Sequence, residues 1–430
     1  MKQIVLIFSF CLWAAAVSAQ STNAFLTLTN AEAIALKYHP DIAEANYLVL
    51  AAKEAVTETR SAYLPNANLY AEAVGANEEH ARITEDDSLS NPSIYDRAGA
   101  GAQLNQLITD FGRTANLTAS SKYQVKAQSQ NASQTREQVL LQVDVGYFNA
   151  LAAQAVLHVA QQTFDTRKTL LDQITTLATN KLRSELDVSF ARVELQQGRL
   201  LVEKAQNDAD AAMANLSTAL GYSEFHEFQL ADQSLGTNDV SDDVSSLVQT
   251  ALTQRPELLR LRNEHDAATH FARAQRDSRL PTIDAVGVAG VAPWRSDNLQ
   301  ANYAVGGIQM SVPIFSGGLY VARQREAELK ARADEELLRS VENNVIRDVR
   351  IAWLDLTDAM QQLDTTKDLA ANAGEAFTLA QARYKIGLSS IVELSDAQLN
   401  LTQAQIAETN ARYNVLIQQA NLNYQIGTIQ

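Results

Sequence analysis

Residues 64–73, LPNANLYAEA, mark the place where the chain changes rhythm. Ala67, Leu69, Ala71 and Ala73 alternate with Asn66, Asn68, Tyr70 and Glu72, a period of two that predicts a strand with one apolar and one polar face. The same Leu-Pro step returns at Leu280-Pro281, 216 residues on, followed by Thr282, Ile283, Asp284 and Ala285 in alternation. Pro40 and Pro256 share that spacing. Further along, Gln103 and Gln309, Gly112 and Gly318, Tyr147 and Trp353, and Gly221 and Gly427 are each 206 apart. Two shifts, each constant over its own flank, mean an internal duplication, and the first copy carries about ten extra residues between Pro65 and Gln103.

Both halves read as helix, strand, loop, strand, long helix, turn, helix. The first repeat spans 20–221, with strands near 66–75 and 100–109, a long helix near 113–179 and a partner helix near 185–220. The second spans 241–430, with strands near 282–291 and 303–312 and helices near 319–386 and 390–426; the polar segment 222–240 joins them. Each long stretch has no proline and a single internal glycine, Gly146 or Gly374, so each helix is expected to reach about 100 Å at 1.5 Å per residue. The partner helices are heptadic. Val392, Leu399, Ile406, Tyr413 and Ala420 form one row, and a second row of Ala397, Ala404 and Ala411 recurs in the first repeat as Ala191, Gly198 and Ala205. A seven-residue period implies a left-handed supercoil, and apolar rows on more than one face call for neighbours on more than one side. That fits a cylinder of helices better than a two-stranded rod.

Strands of nine to eleven residues match a tilted bilayer crossing, but four of them cannot close a barrel. An open edge in lipid leaves backbone groups unpaired, so strands in a membrane must be completed by other subunits; the other reading is a pair of hairpins in a small soluble sheet. Residues 1–19 read as a secretory signal, with Lys2, an apolar run from Ile4 to Ala16 and a small-residue cleavage site at Val17-Ser18-Ala19. Removing them takes away Cys11, the one cysteine, so neither a disulfide framework nor thiol chemistry is expected. No later apolar run is long enough for a transmembrane helix. With Lys plus Arg 35 against Asp plus Glu 50, the charge of -15 argues against nucleic acid and suits a surface that gathers cations. The predicted surface loop 76–97 is acidic, with Glu78, Glu79, Glu85, Asp86 and Asp87.

The two helix reversals carry the remaining signals. Gly387 and Asn180 are the expected left-handed residues of the second and first turns. Ser184 with Asp187, and Ser390 with Glu393, have the spacing of capping boxes. Asp396 has no capping role and lies on nearly the same face as Glu393.

The opening LTLTNAEAIALKYHPDIAEAN, SAYLPNANL, VPIFSGG and ARYKIGLSSIVELSDAQ together resemble the outer membrane efflux protein family typified by TolC. The resemblance implies a homotrimer that closes a 12-stranded barrel in the outer membrane, continuous with a periplasmic helical tunnel. It implies an exit duct joined to an inner-membrane pump through a periplasmic adaptor, without catalysis or cofactor. It also implies a gate at the periplasmic entrance from Asp396, Glu393, Tyr384 and Asp187, with Tyr384 hydrogen bonding between helices. Adaptor contacts are then expected at Gly387, Leu388, Ser390, Asn180 and Ser184, and the segment 222–240 is expected to form an equatorial belt. Ser389 stands where the best-known relatives have a locking arginine. An enzyme is the weaker class: the six histidines lack zinc-helix spacing, and there is no phosphate loop, dinucleotide fingerprint or nucleophile elbow. A fibrous coiled-coil protein of the periplasm or surface is the alternative, and strand pairs at matched places in both repeats count against it.

Overall fold

The computed structural model describes residues 25–75, 97–232, 243–295, 297 and 300–429. The expected signal at 1–19, the acidic residues of the 76–97 loop and residues 233–240 of the inter-repeat segment lie outside the described residues.

Eight helices and four strands are described. Helices α1 (Leu28–Tyr38) and α2 (Pro40–Ser61) are separated at His39, because a proline takes the first helical position and pushes the residue before it into extended backbone. Strands β1 (Asn66–Val74) and β2 (Arg97–Thr109) follow, then α3 (Arg113–Thr179) and α4 (Glu185–Ala219). The second half repeats the order with α5 (Val244–Gln254), α6 (Pro256–Asp277), β3 (Thr282–Arg295), β4 (Asn302–Ser311), α7 (Leu319–Lys385) and α8 (Ile391–Ile426). Strands β2 and β3 run past the expected 100 and 291, because Arg97 pairs with Arg295 across them and Arg97 Nε donates to Glu72 Oε1 at 2.7 Å.

The strands form one antiparallel sheet in the order β1-β2-β3-β4. Below it α3 packs on α2 and α6, and α6 on α7, so the helices continue the order of the strands. Asp110 starts α3 at the junction: its carboxylate accepts from the Thr114 amide at 2.6 Å and the Gly112 amide at 3.3 Å. Helices α4 and α8 pack back along α3 and α7.

The duplication is visible in the core. Val139, Val143, Leu216 and Leu220 are buried in one cluster, and the residues 206 further on, Val345, Val349, Leu422 and Ile426, are buried in the other. Burying side chains of this size is worth about 1.5–3 kcal/mol each. One window of α3 has a mean hydropathy of 1.2, apolar enough by length and composition alone to cross a membrane. Val139, Val143 and Phe148 of α3 are buried against α1 and α4, so they are interior to the helical layer. The segment 222–232 is less polar than expected: Leu230 enters the same core and Phe228 packs against it. Tyr147 donates to Leu26 O and Ala231 O, both at 2.7 Å, fixing that segment to α3.

In the small-residue row, Ala191 and Ala205 are buried against α3. A Cβ on Gly198 would lie 3.2 Å from Arg167 Cδ, so the row lets a buried arginine cross the seam to Glu194, 3.2 Å away.

Candidate functional site: the hairpin tips and the sheet

The tip between α3 and α4 corrects one expectation. Asn180 has φ -84, and Lys181, at φ 60, is the left-handed residue. The physical reason is local: the Asn180 amide donates to Thr176 O at 2.9 Å, which keeps Asn180 on the last turn and passes the reversal to the next residue. Lys181 and Leu182 then donate to Ala178 O and Leu177 O, closing the helix end. Ser184 and Asp187 form a reciprocal capping box, with bonds of 3.2 and 3.4 Å.

At the other tip Gly387 is left-handed at φ 84, as expected, and Leu388 donates to Arg383 O at 2.9 Å. Ser390 Oγ accepts from the Glu393 amide at 3.2 Å. The return bond of a capping box is absent among the described residues, because the Glu393 carboxylate turns to Arg383 Nε, 3.3 Å away. Asp396 is exposed on the next turn and makes no ion pair among the described residues.

Tyr384 joins the two tips. It is 3% exposed and packs with Ile174, Val188, Ile391 and Leu394 of the α3, α4 and α8 ends. Its hydroxyl has no hydrogen-bond partner among the described residues, so the expected hydrogen bond between helices is not found within the chain. The link comes from Arg183, whose guanidinium lies 4.3 Å above the Tyr384 ring and donates to the Tyr384 carbonyl. Burial, and then the nearby Asp187 charge, push the Tyr384 hydroxyl pKa up, and Arg183 partly opposes this. Sequence reading missed Arg183 and Arg383. Both sit beside the quoted turns, but no spacing rule connects Arg183 to a residue 201 positions away. Leu182, Leu186, Ile386 and Leu388 are all more than 60% exposed, which gives both tips an apolar surface.

At the opposite end the two faces of the sheet differ. Leu69, Ile308 and Met310 are 89%, 74% and 64% exposed on one face. Tyr70 and Tyr303 stand on the other, in a row Tyr70-Gly101-Gly290-Tyr303 set by the strand register. Their hydroxyls meet at 2.5 Å over the two glycines. A Cβ on Gly101 would fall 2.6 Å from the Tyr70 hydroxyl and 2.8 Å from that of Tyr303, so only glycine leaves room for this bridge. Tyr70 stands on the polar face, as the alternation of residues 66–73 implies.

A small sheet with one exposed apolar face, continued by helices of 67 residues, defines an outer-membrane channel with a periplasmic extension rather than a globular enzyme. The chain belongs to the outer membrane efflux protein family, which it matches over residues 33–222 and 247–428. It is 26% identical to the outer membrane protein TolC of Escherichia coli (strain K12), over 95% of this chain and 85% of that protein. Its fold is similar to that of a membrane protein from Pseudomonas aeruginosa, with a TM-score of 0.80 and 20% identity over 93% of this chain and 90% of that one. The open MtrE outer membrane channel of Neisseria gonorrhoeae gives 0.76 and 18% identity, over 94% and 91%.

Proposed function

We propose that three copies of the chain close a 12-stranded barrel and form the exit duct of a tripartite efflux or type I secretion system. The observation that carries this reading is the sheet itself: β1 and β4 each have one strand partner among the described residues, although the sheet exposes an apolar face. Strand β1 is antiparallel to β2 and β3 to β4, so β4 of one copy meets β1 of the next in antiparallel sense, and closure removes every edge. The half-exposed Val392 and Leu399 of α8, and Leu354 and Leu379 of α7, support helix neighbours from other copies. An inner-membrane pump feeds the duct through a periplasmic adaptor, which meets the apolar tips around Leu388, Gly387 and Ser390 and around Asn180 and Ser184. Small molecules or proteins pass to the outside.

Asp396 and Glu393 ring the entrance three times, with Asp187 and Tyr384 beside them, and make the closed pore prefer cations. Glu393 is shared with Arg383, so Asp396 is the dominant charge. The test is a bilayer reversal potential under a salt gradient. Asp396→Asn with Glu393→Gln is expected to lower cation preference and relieve block by divalent cations; unchanged values would move the filter elsewhere.

A further inference from the structure

Where the sheet meets the helices, a cavity of about 530 Å³ opens between α6, the start of α7 and the first residue of α3. Thr282 and Ser311, which pair across β3 and β4, line it. Each is eight residues from its partner in the Gly290–Tyr303 pair, an even number, so the cavity opens on the polar face of the sheet.

Its charge is opposite to that of the chain. In a protein with a net charge of -15, the cavity is lined by Arg113, Arg323 and Lys330 against a single carboxylate, Glu326. That carboxylate is already engaged: Lys330 Nζ lies 2.7 Å from it and holds its pKa below the usual range, with a smaller contribution from Arg323. Among the described residues neither the Arg113 nor the Arg323 guanidinium has a hydrogen-bond or ion-pair partner. Hydroxyls of Ser311 and Tyr320 and the amide of Gln275 share the lining, a donor set that receives an oxyanion, while the Ser278 hydroxyl there is spent on Ala274 O.

The duplication provides a control. Applying the 206 shift to Arg323, Glu326 and Lys330 gives Leu117, Ser120 and Gln124, so the first repeat starts its long helix with uncharged residues at these three positions. The junction therefore does not require these cations to fold.

We infer that this cavity binds one phosphate-class anion per chain, held between the Arg113 and Arg323 guanidiniums. Through the duct assignment above, it is a station on the lumen wall for anionic solute in transit. An anionic lipid headgroup offers the same chemistry from a second source.

The test uses the full-length protein purified in detergent, with inorganic phosphate as the probe, followed by calorimetry at low salt. Wild type is expected to bind phosphate saturably at one site per chain, with sulfate competing. Arg113→Gln with Arg323→Gln is expected to weaken binding at least tenfold, and the double lysine variant is expected to retain most of it. Absence of saturable binding in wild type, or equal binding by the glutamine variant, overturns the site. If the double variant does not assemble, Arg323→Gln alone decides by the same criterion. Native mass spectrometry after incubation with phosphatidylglycerol vesicles separates the sources: lipid retained by wild type and lost in the variant assigns a headgroup, and phosphate binding without retained lipid assigns a solute. Bilayer conductance of the same wild-type sample reads the duct assignment independently, so a conducting protein that binds no phosphate refutes only this site.

Discussion

Asp144 on α3 is 7% exposed and shares its surroundings with Glu32 of α1, and one of its carboxylate oxygens has no hydrogen-bond partner among the described residues. Burial, and then the charge of Glu32, raise its pKa; burial also raises that of Glu32. Two carboxyls so placed hold a proton at neutral pH that the unfolded chain releases near pH 4. The sign follows from the raised folded value: the fold binds more protons, so the pair's stability is fully present below about pH 4 and is lost as pH rises through the raised value. Asp144→Asn is therefore expected to stabilise the fold in alkaline buffer by on the order of 1 kcal/mol, read as a higher thermal midpoint, and to change little near pH 5. Equal effects at both pH values would show that the pair is not protonated. The tyrosine bridge makes a second prediction at this scale. Tyr303→Phe leaves the Tyr70 hydroxyl without its partner and is expected to cost about 1–3 kcal/mol, and Gly290→Ala a similar amount by crowding Ala100 O and Tyr303. Heat-dissociation midpoints of the assembled protein check both; no shift in either would remove the bridge as a structural element. Neither contact was legible beforehand, because residues 112 and 233 positions apart leave no mark in local periodicity.

The elements were far more legible. Proline and glycine are nearly absent from α3 and α7, so their ends show in composition, and the observed Arg113–Thr179 and Leu319–Lys385 lie within a residue of the expected bounds. Alternation around Leu69 marked one apolar and one polar face, since the pleat makes parity visible in a single strand, and the register puts Ile308 and Met310 on the apolar face and Gln309 and Ser311 on the other. Turn chemistry was only half legible. A glycine states its conformation, as Gly387 does, whereas at the first tip a side-chain bond from Asn180 to Thr176 decided which residue took positive φ. The face assignment has a direct consequence. Met310→Arg puts a charge on the apolar face and is expected to cost about 2–4 kcal/mol per site near mid-membrane, and Gln309→Arg close to nothing. Assembly yield and thermal midpoint measure this, and equal damage from both would contradict the assignment of faces.

At the scale of the whole molecule, the chain is unfinished by itself. The sheet has two free edges among the described residues and an apolar face, above helices with half-exposed leucines, and in the proposed trimer the order α2-α3-α6-α7 beneath β1-β2-β3-β4 lets the same rotation close both layers. The duplicated cores give one chain two nearly equivalent halves, which would serve as two sectors of the proposed ring. Two differences between the repeats bear on these proposals: Gly387 against Lys181 at the tips, and Arg323, Glu326 and Lys330 of the cavity against the uncharged Leu117, Ser120 and Gln124. The central claim is closure by three copies. Electron cryo-microscopy of the detergent-purified protein, averaged down its long axis, tests it most directly. The account predicts a threefold ring around a continuous lumen, with a helical tunnel of about 100 Å below the barrel. Single chains, a solid rod without a lumen, or a ring of any other order would contradict it.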